Sequence, residues 1–241
     1  MNLTRTEFGV AVSLPSGEQL PIRHIIGIGM NYAAHALEQG KGVPERPVLF
    51  TKNPFAASLN GDPIRVPKVC QDRAQVDFEA ELGVIIGAQR NGQFVRDVPK
   101  DRALKCVLGY VAANDVSARW WQKEGSGGQF YRGKSFDTFC PIGPAVATPE
   151  QVGNPNALRI QCRVNGQQMQ DSNTADMIFD IATLISEISR GHTLLPGTLI
   201  VTGTPSGVGM ARTPQVFLKD GDTVEVELEK IGVITNRVVF E

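Results

Sequence analysis

The sequence predicts a single strand-rich α+β domain, residues 1–241, in which residues 1–20 form a small N-terminal strand pair. Three features lead there. Gly 25 and Pro 15 in 241 residues supply turns at the density that short strands need. Short alternating or fully apolar runs recur between those turns, whereas a sustained helical period occurs once, over residues 174 to 189. No repeat, low-complexity tract or linker divides the chain.

Taken in order, residues 8 to 14 and 20 to 29 read as strands around the turn Leu14-Pro15-Ser16-Gly17. Asn31 is placed to cap a short helix, Tyr32 to Gln39, which Gly40 stops. Lys41 to Pro47 is a polar, proline-containing segment and reads as a mobile loop. Val48 to Lys52 is a strand, and Pro54 to Gln75 reads mostly as loop. Val76 to Ile86 is the central strand, followed by the turn Arg90-Asn91-Gly92-Gln93. Lys100 to Cys106 predicts a helical turn and Val107 to Ala113 a buried strand that ends at Asn114-Asp115. Trp120 to Phe130 reads as a glycine-rich loop. Asn165-Gly166 between two strand runs is a strong hairpin signal. Over residues 174 to 189, Met177, Ile178, Ile181, Leu184, Ile185 and Ile188 share one helical face, with Arg190-Gly191 as the stop. Thr198 to Val201 and a two-stranded tail complete the chain.

Composition narrows the function. Basic (24) and acidic (25) residues leave a net charge of −1, which gives no reason to expect nucleic acid, a membrane surface or a polyanion as partner. The N-terminus lacks a basic stretch followed by an apolar one, and no apolar run approaches the ~20 residues of a membrane helix. Cys70, Cys106, Cys140 and Cys162 are widely spaced with no CxxC pair, against both zinc and a disulfide framework. The expectation is a cytoplasmic protein of a reducing compartment.

The chemistry centres on Val76-Asp77-Phe78-Glu79-Ala80-Glu81-Leu82. Side chains two apart on a strand share a face, so Glu79 and Glu81 project together with Asp77 beside them, while Phe78, Ala80 and Leu82 face the other way. Carboxylates about 7 Å apart on one face repel unless water or a cation intervenes. Either this is a solvated acidic face, or it holds a hard cation such as Mg²⁺, Mn²⁺ or Ca²⁺, which take oxygen ligands. Asp115, emerging where an apolar strand ends, would complete a three-carboxylate site; alone it would be a turn residue. His35 and Glu38 share a helix face at i,i+3, a spacing that serves equally for a surface ion pair or for a carboxylate that orients a basic imidazole. The neighbouring Gly40-Lys41-Gly42 could hinge a lid. Lys134, between Gly133 and Ser135, faces solvent or neutralises an enolate or carboxylate. Arg119 and Gln122 could bind a carboxylate. Thr202 to Gly209 lacks the order of a nucleotide loop, but its N–H groups and Thr204 could hold a small carboxylate.

Taken together, Asn31-Tyr32-x-x-His35-x-x-Glu38, Val76-Asp77-Phe78-Glu79-x-Glu81-Leu82, Asn114-Asp115-x-Ser117-Ala118-Arg119, Gly133-Lys134-Ser135-Phe136-Asp137 and Thr202-Gly203-Thr204-Pro205-Ser206-Gly207-Val208-Gly209 resemble, in this order, the fumarylacetoacetate hydrolase superfamily. Phe136 to Pro141 and the tail Val216 to Asp222 look most like its domain-containing 2 branch. The resemblance spans residues 23 to 240 and implies a mixed β-roll with peripheral helices, a homodimer, and Mg²⁺ or Mn²⁺, with Ca²⁺ as a crystallographic substitute. It implies Glu79, Glu81 and Asp115 as metal ligands, His35 and Glu38 as a proton-handling dyad on a lid, and Lys134 as the group that stabilises developing charge. Arg119, Gln122 and Thr204 would contact the substrate carboxylate. Such enzymes act on small 2-oxo or 1,3-dicarbonyl acids through a metal-stabilised enolate. C–C hydrolysis of an acylpyruvate or fumarylacetoacetate type is the first expectation, with oxaloacetate tautomerisation or decarboxylation as the alternative. A non-catalytic metal-binding dimer is the remote alternative, suggested by Trp120 standing where relatives carry Asp. At that place Trp120 would narrow or grease the mouth of the site.

Overall fold

The computed structural model describes residues 1–87 and 94–241. At its centre is a mixed seven-stranded sheet in the order Val48–Lys52, His24–Gly29, Thr198–Val201, Ala80–Ile86, Val107–Asn114, Cys140–Ala147 and Ala57–Leu59. His24–Gly29 runs parallel to Thr198–Val201, and Cys140–Ala147 parallel to Ala57–Leu59; the other neighbours are antiparallel. A five-stranded sheet packs beside it in the order Gln167–Asn173, Arg159–Val164, Thr223–Leu228, Gly232–Phe240 and Ile64–Val66. The result is a curled mixed sheet with short helices at its margins, the α+β arrangement expected of the sequence.

Strand alternation explains how both faces of the central sheet become core. Leu82, Val84 and Ile86 face the five-stranded sheet and meet Ile160, Cys162, Val224 and Val226. Ile85, Val111, Ala113, Leu199 and Val201 face the opposite way and are covered by Val10, Val12 and Ile22 from the N-terminal segment. Burying both faces of a strand demands an almost continuous apolar run, and Ala80–Ile86 is buried throughout.

Several elements differ from the sequence expectation. The N-terminal unit is three-stranded, Asn2–Thr6, Gly9–Ser13 and Gln19–Pro21, because Asn2–Thr6 pairs with Gly9–Ser13 despite its polar composition. Pro54–Gln75 is not mostly loop: it holds the strands Ala57–Leu59 and Ile64–Val66, each attached to a sheet edge. The central strand is broken at Phe78-Glu79 into Val76–Asp77 and Ala80–Ile86. Trp120–Phe130 contains helical turns, with Arg119–Gln122 and Glu124–Ser126 preceding the helix Phe130–Lys134. The long helix begins at Ile181, not at residue 174. Asp180 adopts an extended backbone and its carboxylate accepts the Thr183 N–H, so a capping residue overrides the apolar period upstream. Met177 and Ile178 are used instead to bridge Tyr32 and Asn31. Asn31 does not cap the Ala33–Glu38 helix, whose cap position is Tyr32. Its buried amide bonds the carbonyls of Thr202 (2.7 Å) and Phe179 (3.1 Å) and fixes the helix onto the sheet. The hairpin at Asn165-Gly166 forms as expected, with φ of 52° and 77° at the two turn residues. The turn expected at Arg90–Gln93 lies outside the described residues.

Candidate active site

Register brings the three carboxylates together. Ala80 pairs with Asn114 and Glu81 with Ala113, and the Asp115 N–H donates to the Glu79 carbonyl at 2.9 Å, which sets Asp115 directly opposite Glu79. Opposite and two-apart positions of an antiparallel pair share a face. Accordingly, Glu79, Glu81 and Asp115 each offer a carboxylate oxygen within 4.8 Å of the others. None is solvated: Glu79 is 5% exposed, Glu81 1% and Asp115 0%. The solvated acidic face is therefore excluded, and the cost of burying these charges has to be met locally.

Cations meet most of it. Lys134 donates to Glu79 Oε2 at 2.7 Å and to Asp115 Oδ2 at 2.5 Å. The fully buried Lys52 bonds the other Asp115 oxygen and the Phe139 carbonyl. Arg119 Nη1 lies 2.7 Å from Glu79 Oε1 and donates to Gln122 at 3.0 Å, while its Nε and Nη2 clamp Asp77 at 2.9 and 2.7 Å. Asp77, Glu79, Glu81 and Asp115 thus face Lys52, Lys134 and Arg119, leaving one negative charge unmatched. Glu81 is the carboxylate without a cation in contact; its bond is from the Gly203 N–H, 2.7 Å. Burial, then the charges of Asp115 and Glu79, push the Glu81 carboxyl well above the usual carboxylate range. Burial alone would raise Glu79, but the charges of Lys134 and Arg119 outweigh it, so Glu79 lies below that range.

An unmatched buried charge among three close oxygen donors, with no sulfur or imidazole ligand in the set, suits a hard divalent cation. Glu79, Glu81 and Asp115 would hold it. Glu79 and Glu81 also line a pocket, together with His35, Arg119, Gln122, Lys134 and Thr204.

Each of the other expected residues has a definite place. His35 and Glu38 meet on the Ala33–Glu38 helix, Nδ1 to Oε1 2.7 Å. The Gln39 side-chain nitrogen lies 2.7 Å from His35 Nε2, so with the amide donating there Nδ1–H is the side of the ring that donates to Glu38. Lys134 ends the Phe130–Lys134 helix, which rests on the Arg119–Gln122 turn; a Cβ at Gly133 would sit 2.4 Å from the Gln122 nitrogen, so only glycine permits this approach. Arg119 reaches the pocket wall, but every guanidinium nitrogen is engaged within the protein. Thr204 accepts from Gln170 at 2.8 Å. The N–H groups of the 202–209 segment hold the protein's own carboxylates: Gly203 donates to Glu81, Gly207 to Glu38 (2.9 Å) and Gly209 to Asp77 (2.7 Å). Trp120 is not in the pocket wall. It stacks beneath Arg73, 4.4 Å from the ring centre, and edge-on against Trp121.

Sequence reasoning missed Lys52, Gln39 and the structural task of Asp77. Lys52 ends an apolar strand, the same sign that singled out Asp115. Gln39 lies one helical turn beyond His35, within reach of its ring.

A Xenopus laevis protein named oxaloacetate tautomerase fahd2, mitochondrial, is 48% identical over 217 residues, 89% of this chain. The chain spans 65% of that relative's length, just under two thirds. A 2,4-didehydro-3-deoxy-L-rhamnonate hydrolase of Sphingomonas sp. (strain SKA58) is 45% identical over 90% of the chain and 73% of its own. The crystal structure of fumarylpyruvate hydrolase from Pseudomonas aeruginosa in complex with Mn²⁺ and pyruvate superposes with TM-score 0.84 at 30% identity over the whole of both chains. Residues 24–239 match the model of the fumarylacetoacetate (FAA) hydrolase C-terminal family, and the chain belongs to that family.

Proposed function

We propose that the protein is a divalent-metal-dependent enzyme that interconverts the keto and enol forms of oxaloacetate or a closely similar 2-oxo acid. The observation that carries this reading is an imidazole, His35, held by Glu38 on the wall of the pocket that Glu79 and Glu81 line, two of three mutually close buried carboxylates. A divalent ion, Mg²⁺ or Mn²⁺, held by Glu79, Glu81 and Asp115 would supply Lewis-acid polarisation of the 2-oxo group. Tautomerisation asks little more of the protein than a group that takes a proton from carbon and returns one to oxygen. Glu38 orients His35 through Nδ1, which leaves Nε2 as the base once the Gln39 amide withdraws. Glu38 is itself held by the Gly207 N–H, so the helix that carries the dyad is tied to the floor of the site. Lys134 presents its ammonium between Glu79 and Asp115, where it offsets negative charge that develops on substrate.

Relatives favour tautomerisation over the C–C hydrolysis that stood first in the sequence reading, since the Xenopus protein at 48% identity carries that name. Hydrolysis remains the second reading, favoured by the Sphingomonas relative, whose name is that of a hydrolase. The non-catalytic dimer loses its motive, because Trp120 lies outside the pocket wall. A homodimer and a cytoplasmic location belong to the proposal; the Xenopus relative's name carries a mitochondrial location for that protein. The deciding experiment gives oxaloacetate to Mg²⁺-loaded protein and follows enol absorbance and pyruvate release in one cuvette. Accelerated loss of enol without pyruvate supports the tautomerase, and pyruvate release marks a decarboxylase. No change in either signal overturns the proposal and directs the test to acylpyruvates.

A further inference from the structure

We infer that Lys41 reads the distal carboxylate of the substrate, so that the site prefers dicarboxylic acids to their monocarboxylic counterparts. This rests on the reading of the pocket as a 2-oxo acid site and names the residue that decides which acids enter. The pocket wall contains three cationic side chains, Lys41, Arg119 and Lys134. Two are spent. Arg119 is locked to Asp77, Glu79 and Gln122, and Lys134 to Glu79 and Asp115. Releasing either would strand a buried carboxylate, a far larger loss than one substrate contact regains. Among the described residues, no carboxylate pairs with Lys41.

Its position fits the role. Lys41 follows the Ala33–Glu38 helix by one turn of chain, and its N–H bonds the Ala36 carbonyl at 3.0 Å, so its backbone is fixed to the element that carries His35 and Glu38. The side chain borders both the inner pocket and a wider outer cavity. The other charged residues of that outer cavity are Glu38, Lys123 and Glu124. Glu38 is occupied by His35 and the Gly207 N–H. Lys123 is held below its ordinary value by burial first, then by Arg119, with Lys41 adding to the same positive field and Glu124 opposing it. A substrate whose 2-oxo carboxylate end lies against the triad carries a second carboxylate outward, away from three acidic groups. Among the cations of the inner pocket wall Lys41 is the one free to receive it, and an uncharged tail gains nothing from it.

The test uses two non-enolisable 2-hydroxy acids that differ by this one group, malate and lactate, titrated by calorimetry into the full Mn²⁺-loaded chain. The wild type should bind malate about tenfold more tightly than lactate, the size of one charge-assisted contact at a half-open site. Lys41→Met should erase the preference with lactate affinity unchanged, and Lys41→Arg should restore it. Equal binding of the two acids by the wild type, or a malate preference that survives in Lys41→Met, overturns the assignment. The reaction stands or falls separately. A Lys41-dependent malate preference in a protein inert to oxaloacetate would remove the tautomerase and leave this inference in place, whereas tautomerase activity with a Lys41-independent preference would do the reverse.

Discussion

Replacing Glu81 with glutamine should make the metal-free protein more stable and remove its affinity for divalent ions. In the cluster, four buried carboxylates face three buried cations, and Glu81 is the one with no cation in contact. Glutamine has nearly the same shape. Its carbonyl can keep the Gly203 N–H, and its amide can donate toward a neighbouring carboxylate, so the exchange removes the unmatched charge without opening a cavity. Replacing buried ionic groups by uncharged ones of similar volume ranges from neutral to stabilising by about 1–4 kcal/mol. A middle value of about 2 kcal/mol raises the melting temperature by roughly 4–8 °C in a chain of this size. The same change deletes one of three anionic ligands, and affinity for Mn²⁺ should fall by about a hundredfold or more, since loss of a group that merely supports a ligand already costs up to that. Thermal unfolding in chelator and calorimetric titration with Mn²⁺ read the two effects separately. An apo variant that melts at or below wild type refutes the charge count, and one that keeps full Mn²⁺ affinity refutes the ligand assignment.

Three further outcomes are expected. His35→Ala should bind Mn²⁺ as wild type does while oxaloacetate tautomerisation falls by about 10²–10⁴-fold, the usual contribution of a positioned acid–base group; undiminished turnover would take the dyad out of the reaction. Asp77→Ala should cost about 3–5 kcal/mol in urea unfolding, because Arg119 loses its clamp and the N–H groups of Phe78, Gly209 and Met210 lose their acceptor; a loss under about 1 kcal/mol would make Asp77 a bystander. Asp180→Ala should cost about 1 kcal/mol at neutral pH by uncapping the Ile181–Ser189 helix. Burial raises the Asp180 carboxyl, but the bonds from Thr183 and Lys100 outweigh it, so the folded value lies below the unfolded one. A depressed carboxylate stabilises above its unfolded value of about 3.9 and ceases to do so as pH falls through its folded value. The gap between wild type and variant should therefore close on acidification, and a gap that persists below that value would mean the cap acts without its charge.

How much of the site was legible depends on the range of the interaction concerned. Glu79 and Glu81 could be paired from sequence because a strand repeats every two residues, and His35 with Glu38 because a helix brings i and i+3 together. Asp115 could be found because it ends an apolar run. What the sequence hides is who answers each charge. Arg119 offers the fork of a substrate-carboxylate binder, yet its clamp is Asp77, 42 residues away. Lys52 reads as the polar end of an edge strand until Asp115, 63 residues on, comes to lie against it. Asn31 has the look of a helix cap, but Thr202, 171 residues later, takes its amide. Local signals fail in these places for one reason: a polar side chain entering a core is claimed by whichever distant backbone or charge the topology delivers, and that pairing is worth more than a cap.

The 202–209 segment shows what such pairings build. Its glycine N–H groups hold Glu81 of the triad, Glu38 of the dyad and Asp77 of the arginine clamp, and Asn31 ties the base of the dyad helix to the Thr202 carbonyl. One short stretch of backbone therefore grips a candidate metal ligand, the partner of the candidate base, and the anchor of the cation that covers Glu79. Amides of the main chain are suited to this, because they add no charge of their own and cannot follow a moving side chain. Displacing the segment would disturb the triad and the dyad together, so occupancy of the triad by a metal and alignment of His35 would be coupled through these shared hydrogen bonds. Gly203, Gly207 and Gly209 are spaced so that each N–H meets a different acid, and a backbone carrying side chains at these positions would collide with Asn31, Met169 and Val216 before it could do so.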